Sequence, residues 1–145
     1  MKVSTRGRYG LRLMVSLARH YGEGPVPVHT LVREQDISEN YIHILMGGLK
    51  TAGLVRSTRG PNGGYELNRK PETVTALDVV LVMEGQTAPA ECVVASGTCE
   101  RVADCSARSV WCKVADAVNG VLVNLSLADL SKDARRVNER PDYCI

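Results

Sequence analysis

The chain has 145 residues, a formal net charge of +2, 44% hydrophobic residues and no phenylalanine. This length fits one domain, which buries roughly 70% of the surface of its unfolded chain. The longest obvious apolar run, 79-VVLVM-83, is too short to cross a bilayer, and the first ten residues contain no apolar signal region. We therefore expect a cytoplasmic protein with no membrane partner.

Charge is divided unevenly along the chain. Residues 1–70 contain 11 Lys or Arg against 5 Asp or Glu, which gives +6, whereas residues 71–145 contain 7 against 11, which gives −4. A basic half of this kind favours a polyanionic partner such as nucleic acid. The alternative is a chance distribution of solvated surface charge.

Two helices are predicted at the start of the chain. Apolar residues at i, i+3, i+4 and i+7 from Leu11 to Ala18 indicate an amphipathic helix over residues 8–21. The stretch 22-GEGPVPV-28 ends this helix, and a short second helix is expected over residues 29–35.

A third helix is predicted from Ser38, whose hydroxyl suits an N-cap, to Ala52, with Gly53 as its C-terminal stop. Two glycines in its middle, Gly47 and Gly48, cost about 1 kcal/mol each in helix propensity. One face is expected to be buried and the other exposed. The predicted buried residues are Ile42, Leu45, Leu49 and Ala52, and the opposite face carries Asn40, His43, Gly47 and Lys50.

A β-hairpin is predicted next, because 54-LVRST-58 and 64-GYEL-67 are short β-prone runs joined by a glycine-rich turn. Two helices, a capped third helix and a hairpin are the element order of a winged helix-turn-helix, which is mainly α with a small β-hairpin wing. A phosphate-binding P-loop is excluded, because no Gly-Lys-Ser/Thr follows and no helix begins there. A plain surface hairpin with solvated arginines is the structural alternative.

The second half begins with a helix over residues 76–84 capped by Thr75, followed by irregular residues 85–105. A long helix is expected over residues 106–126, then a short helical turn over residues 126–130 and a charged tail that frays from Lys132. The long helix carries one predicted apolar stripe of Trp111, Val114, Ala115, Val118, Leu122 and Leu125. This divides the chain into a winged helix-turn-helix region (1–84), a cysteine-bearing segment (85–105), a helical region (106–131) and a tail (132–145).

Three stretches together resemble the Rrf-type (BadM-type) winged helix-turn-helix transcriptional regulators, which include the iron–sulfur cluster regulator IscR, the nitric-oxide sensor NsrR and the cysteine-metabolism regulator CymR. They are 3-VSTRGRYGLRLMVSLA-18, 37-ISENYIHILMGGLKTAGLVRSTRGPNGGYEL-67 and 74-VTALDVVLVMEG-85, and a Leu-Ala-Asp-Leu element follows near residue 130. The resemblance covers nearly the whole chain, and it implies that residues 1–84 are the DNA-binding region, residues 85–105 a sensor segment and residues 106–131 a dimerisation helix.

The resemblance implies a homodimeric repressor that binds a roughly palindromic operator in double-stranded DNA, with the long helix at the dimer contact. The third helix would read the major groove, and the wing and N-terminus would meet the backbone. Iron–sulfur cluster regulators carry Glu and Gln where this chain has His43 and Ile44, so their operators do not transfer. The implied DNA-binding residues are Lys2, Ser4, Thr5, Arg6, Ser38, Asn40, Tyr41, His43, Arg56, Arg59, Gly60, Pro61, Asn62, Gly63, Gly64 and Tyr65.

All five cysteines lie in the second half, which in a reducing cytosol indicates metal binding, redox sensing or simple burial. The resemblance implies that Cys92, Cys99 and Cys105 ligate an iron–sulfur cluster, of the 2Fe-2S type or in a 4Fe-4S or three-iron form. The fourth ligand stays open, because Arg108 and Arg8 stand where relatives carry ligating side chains. The remaining choices are Asp104, Ser106, Cys112, Cys144 or an external ligand.

Two alternatives remain beside the cluster. A regulator of the same fold without a cluster would sense thiol oxidation or a protein partner through the same cysteines. An enzyme with a thiol nucleophile is disfavoured, because no histidine follows His43 and no acid–base pair flanks a cysteine.

Overall fold

The computed structural model describes the backbone of residues 3–95, 97 and 99–139, and the side chains of these ranges up to residue 134. Lys2 and Cys144 lie outside the described residues. The fold is mostly helical with one two-stranded antiparallel hairpin, as expected. In chain order the elements are α1 (Thr5–Arg19), α2 (Val28–Gln35), α3 (Glu39–Thr51), β1 (Val55–Thr58), β2 (Gly64–Leu67), α4 (Ala76–Glu84), α5 (Glu91–Val94), α6 (Ser106–Val123) and α7 (Leu127–Glu139).

One core holds these elements together. It lies where α1, α3 and α4 meet, and α2, the hairpin and the start of α7 close it. Burial of large aliphatic side chains supplies about 1.5–3 kcal/mol each and makes this the main source of stability. No helix of the described part of the chain is both long and apolar enough to cross a bilayer. The largest side chains with almost no exposure are Leu13, Met14, Leu17, Leu31, Ile42, Leu45, Met46, Leu49, Val74, Val79 and Leu127.

Helix α4 begins at a capping box, as its sequence predicts. The Thr75 hydroxyl accepts from the backbone N–H of Asp78 at 3.2 Å, and the Asp78 carboxylate accepts from the backbone N–H of Thr75 at 2.8 Å. This reciprocal pair satisfies two backbone donors that a helix end otherwise leaves open.

Helix α7 begins with the same kind of hydrogen-bond pair, in which the Asp of the Leu-Ala-Asp-Leu element, Asp129, takes part. The Ser126 hydroxyl accepts from the backbone N–H of Asp129 at 3.1 Å, and the Asp129 carboxylate accepts from the backbone N–H of Ser126 at 3.2 Å. These hydrogen bonds lower the pKa of Asp129. The two capped starts lie side by side, because Thr75 and Ser126 form an antiparallel bridge.

The structure corrects the sequence prediction for the second half in three places. Helix α6 ends at Val123 rather than 126, and α7 continues to Glu139 instead of stopping after one turn and fraying from Lys132. The physical reason is that Leu127 is fully buried and Leu130 packs on the core, so α7 is anchored on α1. The sensor segment, expected to be irregular, contains the short helix α5.

The N-terminus of α1 is fixed to the end of α4. Helix α1 starts at Thr5 rather than residue 8, because the Ser4 hydroxyl accepts from the backbone N–H of Gly7 at 3.1 Å. Ser4 also donates its N–H and its hydroxyl to Glu84 Oε1, at 3.1 Å and 2.7 Å. Gly7 permits this approach, since a Cβ there would lie 2.1 Å from Glu84 Oε1.

A second polar cluster joins α1 to α2. Buried Ser16 donates its hydroxyl to Glu34 Oε2 at 2.7 Å. The His20 ring lies 2.9 Å from Glu23 Oε2 and 3.0 Å from Glu34 Oε1. The Glu23 hydrogen bond raises the pKa of His20 against the opposing effect of burial, and Glu34 raises it further. Burial alone would raise the pKa of Glu34, but the hydrogen bonds from Ser16 and His20 lower it.

The His20 cluster predicts a pH-dependent contribution to stability. Because the pKa of His20 is higher in the folded chain, its stabilisation is complete below the unfolded value of 6.5 and is lost as pH rises through the folded value. We expect the free energy of unfolding of the parent to fall relative to that of His20→Gln as pH rises from 6.5 through the folded pKa of His20. Urea denaturation of both proteins between about pH 5.5 and 8.5 measures the difference. Parallel pH curves for the two proteins would contradict the assignment.

Candidate nucleic-acid interface and sensor segment

The wing is anchored to the body by a third, one-residue strand. Strands β1 and β2 pair antiparallel, with Val55 opposite Leu67 and Thr58 opposite Gly64. Val26, between α1 and α2, donates its N–H to the Tyr65 carbonyl at 2.8 Å and accepts from the Tyr65 N–H at 2.9 Å. The hairpin is therefore fixed in position relative to the helices.

The glycines of the wing are required by backbone crowding. A Cβ on Gly64 would lie 2.1 Å from the Val26 carbonyl oxygen, and one on Gly63 would lie 2.3 Å from the Thr58 carbonyl oxygen. Gly60 adopts a φ of +111°, which side chains disfavour. The backbone N–H of Gly63 donates to the Gly60 carbonyl at 2.9 Å and closes the turn. The chain reversal therefore accounts for Gly60 and Gly63, and the approach to Val26 accounts for Gly64.

Two hydrogen bonds tie α3 to the wing. His43 Nδ1 lies 2.8 Å from the Tyr65 hydroxyl, and Lys50 Nζ donates to the Ser57 hydroxyl at 2.7 Å. Burial raises the pKa of Tyr65, so its hydroxyl keeps its proton at neutral pH. The other ring nitrogen of His43 lies 3.6 Å from Glu39 Oε1. Helix α3 and the wing consequently present one rigid surface.

Arg56 in β1 and Arg59 in the turn that follows it differ in their surroundings. Arg56 Nε lies 3.0 Å from Glu66 Oε1 on the facing strand, so part of its charge is compensated within the wing. Arg59 is exposed at the turn and lines a recess with His43 and Tyr65. Among the residues that the structure describes, Arg59 has no carboxylate within ion-pair distance. Arg59 is therefore free to meet an external anion.

The outward face of α3 consists of Asn40, Ile44, Gly47 and Thr51, which recur at i, i+4, i+7 and i+11 and are all exposed. Ser38 precedes this face and is exposed, but its hydroxyl does not cap the helix as expected. Only its carbonyl accepts, from the Ile42 N–H at 3.0 Å. Because Ser38 is exposed, solvent can replace the capping bond.

Other predicted DNA-binding residues lie away from this face. The Tyr41 ring packs edge-on against Tyr9 of α1, with 6.0 Å between ring centroids. The Ser4 hydroxyl is engaged by Glu84, and the Thr5 hydroxyl accepts from Arg8 at 3.3 Å. Arg6 is exposed and extends toward Gly48 of α3. The turn residues Pro61 and Asn62 are exposed at the wing tip.

Ile44 is the residue that the sequence prediction missed at this surface. Its side chain is 63% exposed, although it lies in the middle of a helix whose other large aliphatic residues are buried. The signal was present in the sequence, since Ile44 falls outside the buried spacing of Ile42, Leu45 and Leu49.

The sensor cysteines lie at separate positions. Cys92 is in α5, Cys99 is exposed after it, and Cys105 is the N-cap of α6. These three thiols are free. Within the described ranges, no three His, Cys, Asp or Glu side chains gather closely enough to hold a metal ion. The described residues therefore do not form the donor set that an iron–sulfur cluster needs.

Arg108 stands where relatives carry a side chain that ligates the cluster, and in this chain it has a structural role. Its Nε donates to the Cys92 carbonyl at 3.0 Å and so connects α6 to α5. A second bond joins the Thr87 hydroxyl to Asn119 Oδ1 at 2.5 Å. Residues 87–92 of the sensor segment are thus held on α6 at both ends, through Thr87 and Cys92.

Helix α6 has two apolar rows rather than the single stripe predicted. One row packs toward α4, and Ala115 is its only buried member among the described residues of the helix. The other row is spaced 4, 3 and 4 residues apart and is mostly exposed, with Val110 53% exposed, Val121 62% exposed and Val114 half-buried. Its members are Val110, Val114, Ala117 and Val121.

Comparison with known proteins agrees with this architecture. Residues 3–133 match the model of the Rrf2 family, described as an iron-dependent transcriptional regulator. The transcriptional regulator CymR of Bacillus subtilis is 39% identical over 131 residues, which cover 90% of each chain.

Two solved structures are similar to the whole fold. The structure of CymR, the global cysteine regulator of B. subtilis, matches with a TM-score of 0.78 and 38% identity, and covers 92% of this chain and 98% of that one. The IscR structure of T. potens matches with a TM-score of 0.77 and 38% identity, over 94% and 90% of the two chains. The chain belongs to the Rrf2 family of winged-helix transcriptional regulators.

Proposed function

We propose that this protein is a homodimeric, sequence-specific repressor that binds a roughly palindromic operator in double-stranded DNA and acts in the cytoplasm. Helix α3 enters the major groove and the wing lies along the adjacent backbone or minor groove. The cysteine-bearing sensor segment controls this binding. The observation that carries the proposal is the rigid surface formed by the outward face of α3 and the wing.

Three properties of this surface suit DNA. It is rigid, because His43 and Lys50 bond to the wing. It is basic, because Lys50 and Arg59 flank it and the first 70 residues carry a net charge of +6. It carries an exposed polar side chain, Asn40, on the first turn of α3. Asn can form hydrogen bonds with the major-groove edge of adenine, and arginine binds phosphate pairs or a narrow minor groove.

The exposed row of α6 is the proposed dimer contact. Residues spaced 4, 3 and 4 apart form a seam that two antiparallel or parallel helices bury against each other. Contact of these apolar side chains with water is unfavourable, and two of them, Val110 and Val121, are more than half exposed. A second copy of α6 packed on the row would bury them. Two copies of α3 then face two half-sites of one operator.

Thiol chemistry is the first candidate for the signal. The free thiols of Cys92, Cys99 and Cys105 lie on one segment, and Arg108 holds that segment on α6 through the Cys92 carbonyl. A peroxide would oxidise two of these thiols to a disulfide and be reduced to two water molecules or to water and an alcohol. The new covalent bond would pull α5 toward α6.

An iron–sulfur cluster is the second candidate. The family description names iron, a relative with this fold is IscR, and the three cysteines lie within residues 92–105. Cluster binding would require the three thiols to move together from their described positions. Arg108 would keep its carbonyl contact and would not ligate, because a protonated guanidinium has no lone pair to donate.

Arg59→Ala is expected to weaken binding to any duplex, including a random sequence at low salt. It removes one free cation from each subunit of the dimer, and each of these releases a counterion from DNA, so the slope of log K against log salt should flatten by about 1.8. Fluorescence anisotropy at four salt concentrations measures both quantities. Arg56→Ala is the matched control, since Glu66 already compensates its charge and a smaller loss is expected. Equal binding by Arg59→Ala and the parent would reject the wing contact.

Val121→Glu is expected to convert the dimer to a monomer, because it places a carboxylate in the apolar seam of α6. Sedimentation velocity at micromolar concentration measures the assembly state. Ser109→Glu is the control, since it adds the same charge to an exposed position of α6 outside the seam. A monomeric parent, or a dimeric Val121→Glu protein, would reject α6 as the dimer contact.

The sensor candidates separate in one preparation made without oxygen. An ultraviolet–visible spectrum with iron and sulfide counts is recorded for the parent and for Cys92→Ala. Colourless, metal-free protein that loses two thiols on peroxide treatment supports thiol sensing. Brown protein with iron and sulfide, both lost in Cys92→Ala, replaces this candidate with the cluster.

A further inference from the structure

We propose that Ile44 and Gly47 form an apolar contact patch on α3 that reads thymine methyl groups in the major groove. This inference rests on the proposed DNA binding and adds the chemical feature that α3 recognises. It assigns a chemical role to two residues that are absent from the set of DNA-binding residues implied by the resemblance.

The first observation is the exposure of Ile44. The four buried residues of α3, Ile42, Leu45, Met46 and Leu49, already complete its core-facing side. Ile44 lies on the opposite side, is 63% exposed, and contributes nothing to the core. A β-branched apolar residue at this position gains nothing in helix propensity over a polar one. Ile44 is therefore available to contact a surface outside the chain.

The second observation is independent and concerns Gly47. A Cβ built on this residue meets nothing within 4 Å, so the fold does not require a glycine here. The contrast with Gly48 is direct, since a Cβ there would lie 3.4 Å from Arg6 Nη2 and 3.5 Å from Met83 Cε. Gly47 nevertheless costs about 1 kcal/mol relative to alanine. Close approach of an external surface to the helix backbone gives this glycine a function.

The position of the patch selects the ligand. Ile44 and Gly47 are three residues apart and adjacent on the outward face, with Asn40 one turn before Ile44. His43 and Lys50 lie on the side of the helix toward the wing and bond to it. An apolar patch beside cationic side chains, on the face of a helix proposed to enter DNA, meets base edges rather than phosphates.

Thymine is the base that fits this patch. In the major groove the other three bases present hydrogen-bond donors and acceptors, whereas thymine adds a C5-methyl group that aliphatic side chains contact. The glycine at position 47 lets the backbone of α3 come close enough for Ile44 to reach that methyl. We therefore infer that the half-site contains at least one thymine opposite the middle of α3.

The test begins with duplexes selected by the full-length parent from a random library. Each selected thymine is then replaced in turn by uracil, which lacks only the methyl group. We expect one replacement in each half-site to weaken parent binding about fourfold, as burial of one methyl-sized group implies. Ile44→Ala should bind the thymine duplex less tightly and should no longer distinguish thymine from uracil. Leu81→Ala, at an exposed apolar position of α4, should keep the full difference.

The Gly47→Ala variant distinguishes a role of Gly47 in DNA contact from a purely structural role. We expect its melting temperature to rise by about 4 °C, because alanine favours the helix. Its affinity for the selected duplex should fall about tenfold, because the added methyl prevents close approach. Higher stability together with weaker DNA binding is the expected signature.

Three results would overturn the inference. They are equal binding to thymine and uracil duplexes at every position, a thymine preference that Ile44→Ala retains, or unchanged affinity in Gly47→Ala. Each of these leaves the proposed function intact, since the parent still binds the selected duplex. Failure of the parent to select or bind any duplex would instead reject the DNA-binding proposal itself.

Discussion

The pair of backbone hydrogen bonds between Val26 and Tyr65 is the constraint on which the candidate interface depends. It joins the hairpin to the segment between α1 and α2, at 2.8 Å and 2.9 Å. Because the bonds use backbone atoms, they fix the wing independently of its surface side chains. Tyr65 then bonds to His43 through its side chain, so the same residue sets the distance between the wing and α3. Gly64 is necessary for this arrangement, since only a residue without Cβ can pass Val26 so closely.

The elements from α1 to α4 could be predicted from local patterns. Helix α4 begins at the predicted Thr75 cap, and β1 and β2 lie within one residue of the predicted runs. These features depend on neighbouring residues, which is why periodicity and turn chemistry found them. The length of α7 depends instead on the distant core, where Leu127 is buried against α1. A local pattern does not contain that information.

The candidate site was predictable in part for the same reason. The exposed position of Asn40 and His43 follows from helical spacing, and the structure places both residues as expected. The engagement of Ser4 by Glu84 and of Arg56 by Glu66 follows from tertiary and cross-strand pairing. The division of α6 into a packed row and an exposed row also required knowledge of its neighbours, because helical spacing alone does not show which apolar residues the rest of the fold covers.

The adjacent starts of α4 and α7 have an electrostatic consequence. Each helix carries about half a positive charge at its N-terminus, and the bridge between Thr75 and Ser126 brings these two ends together. Two positive helix ends placed side by side repel each other. The capping carboxylates of Asp78 and Asp129 each place a negative charge at one end and offset this repulsion. At the joint between the DNA-binding region and the C-terminal helix, these two carboxylates therefore stabilise both helix starts by charge as well as by hydrogen bonding.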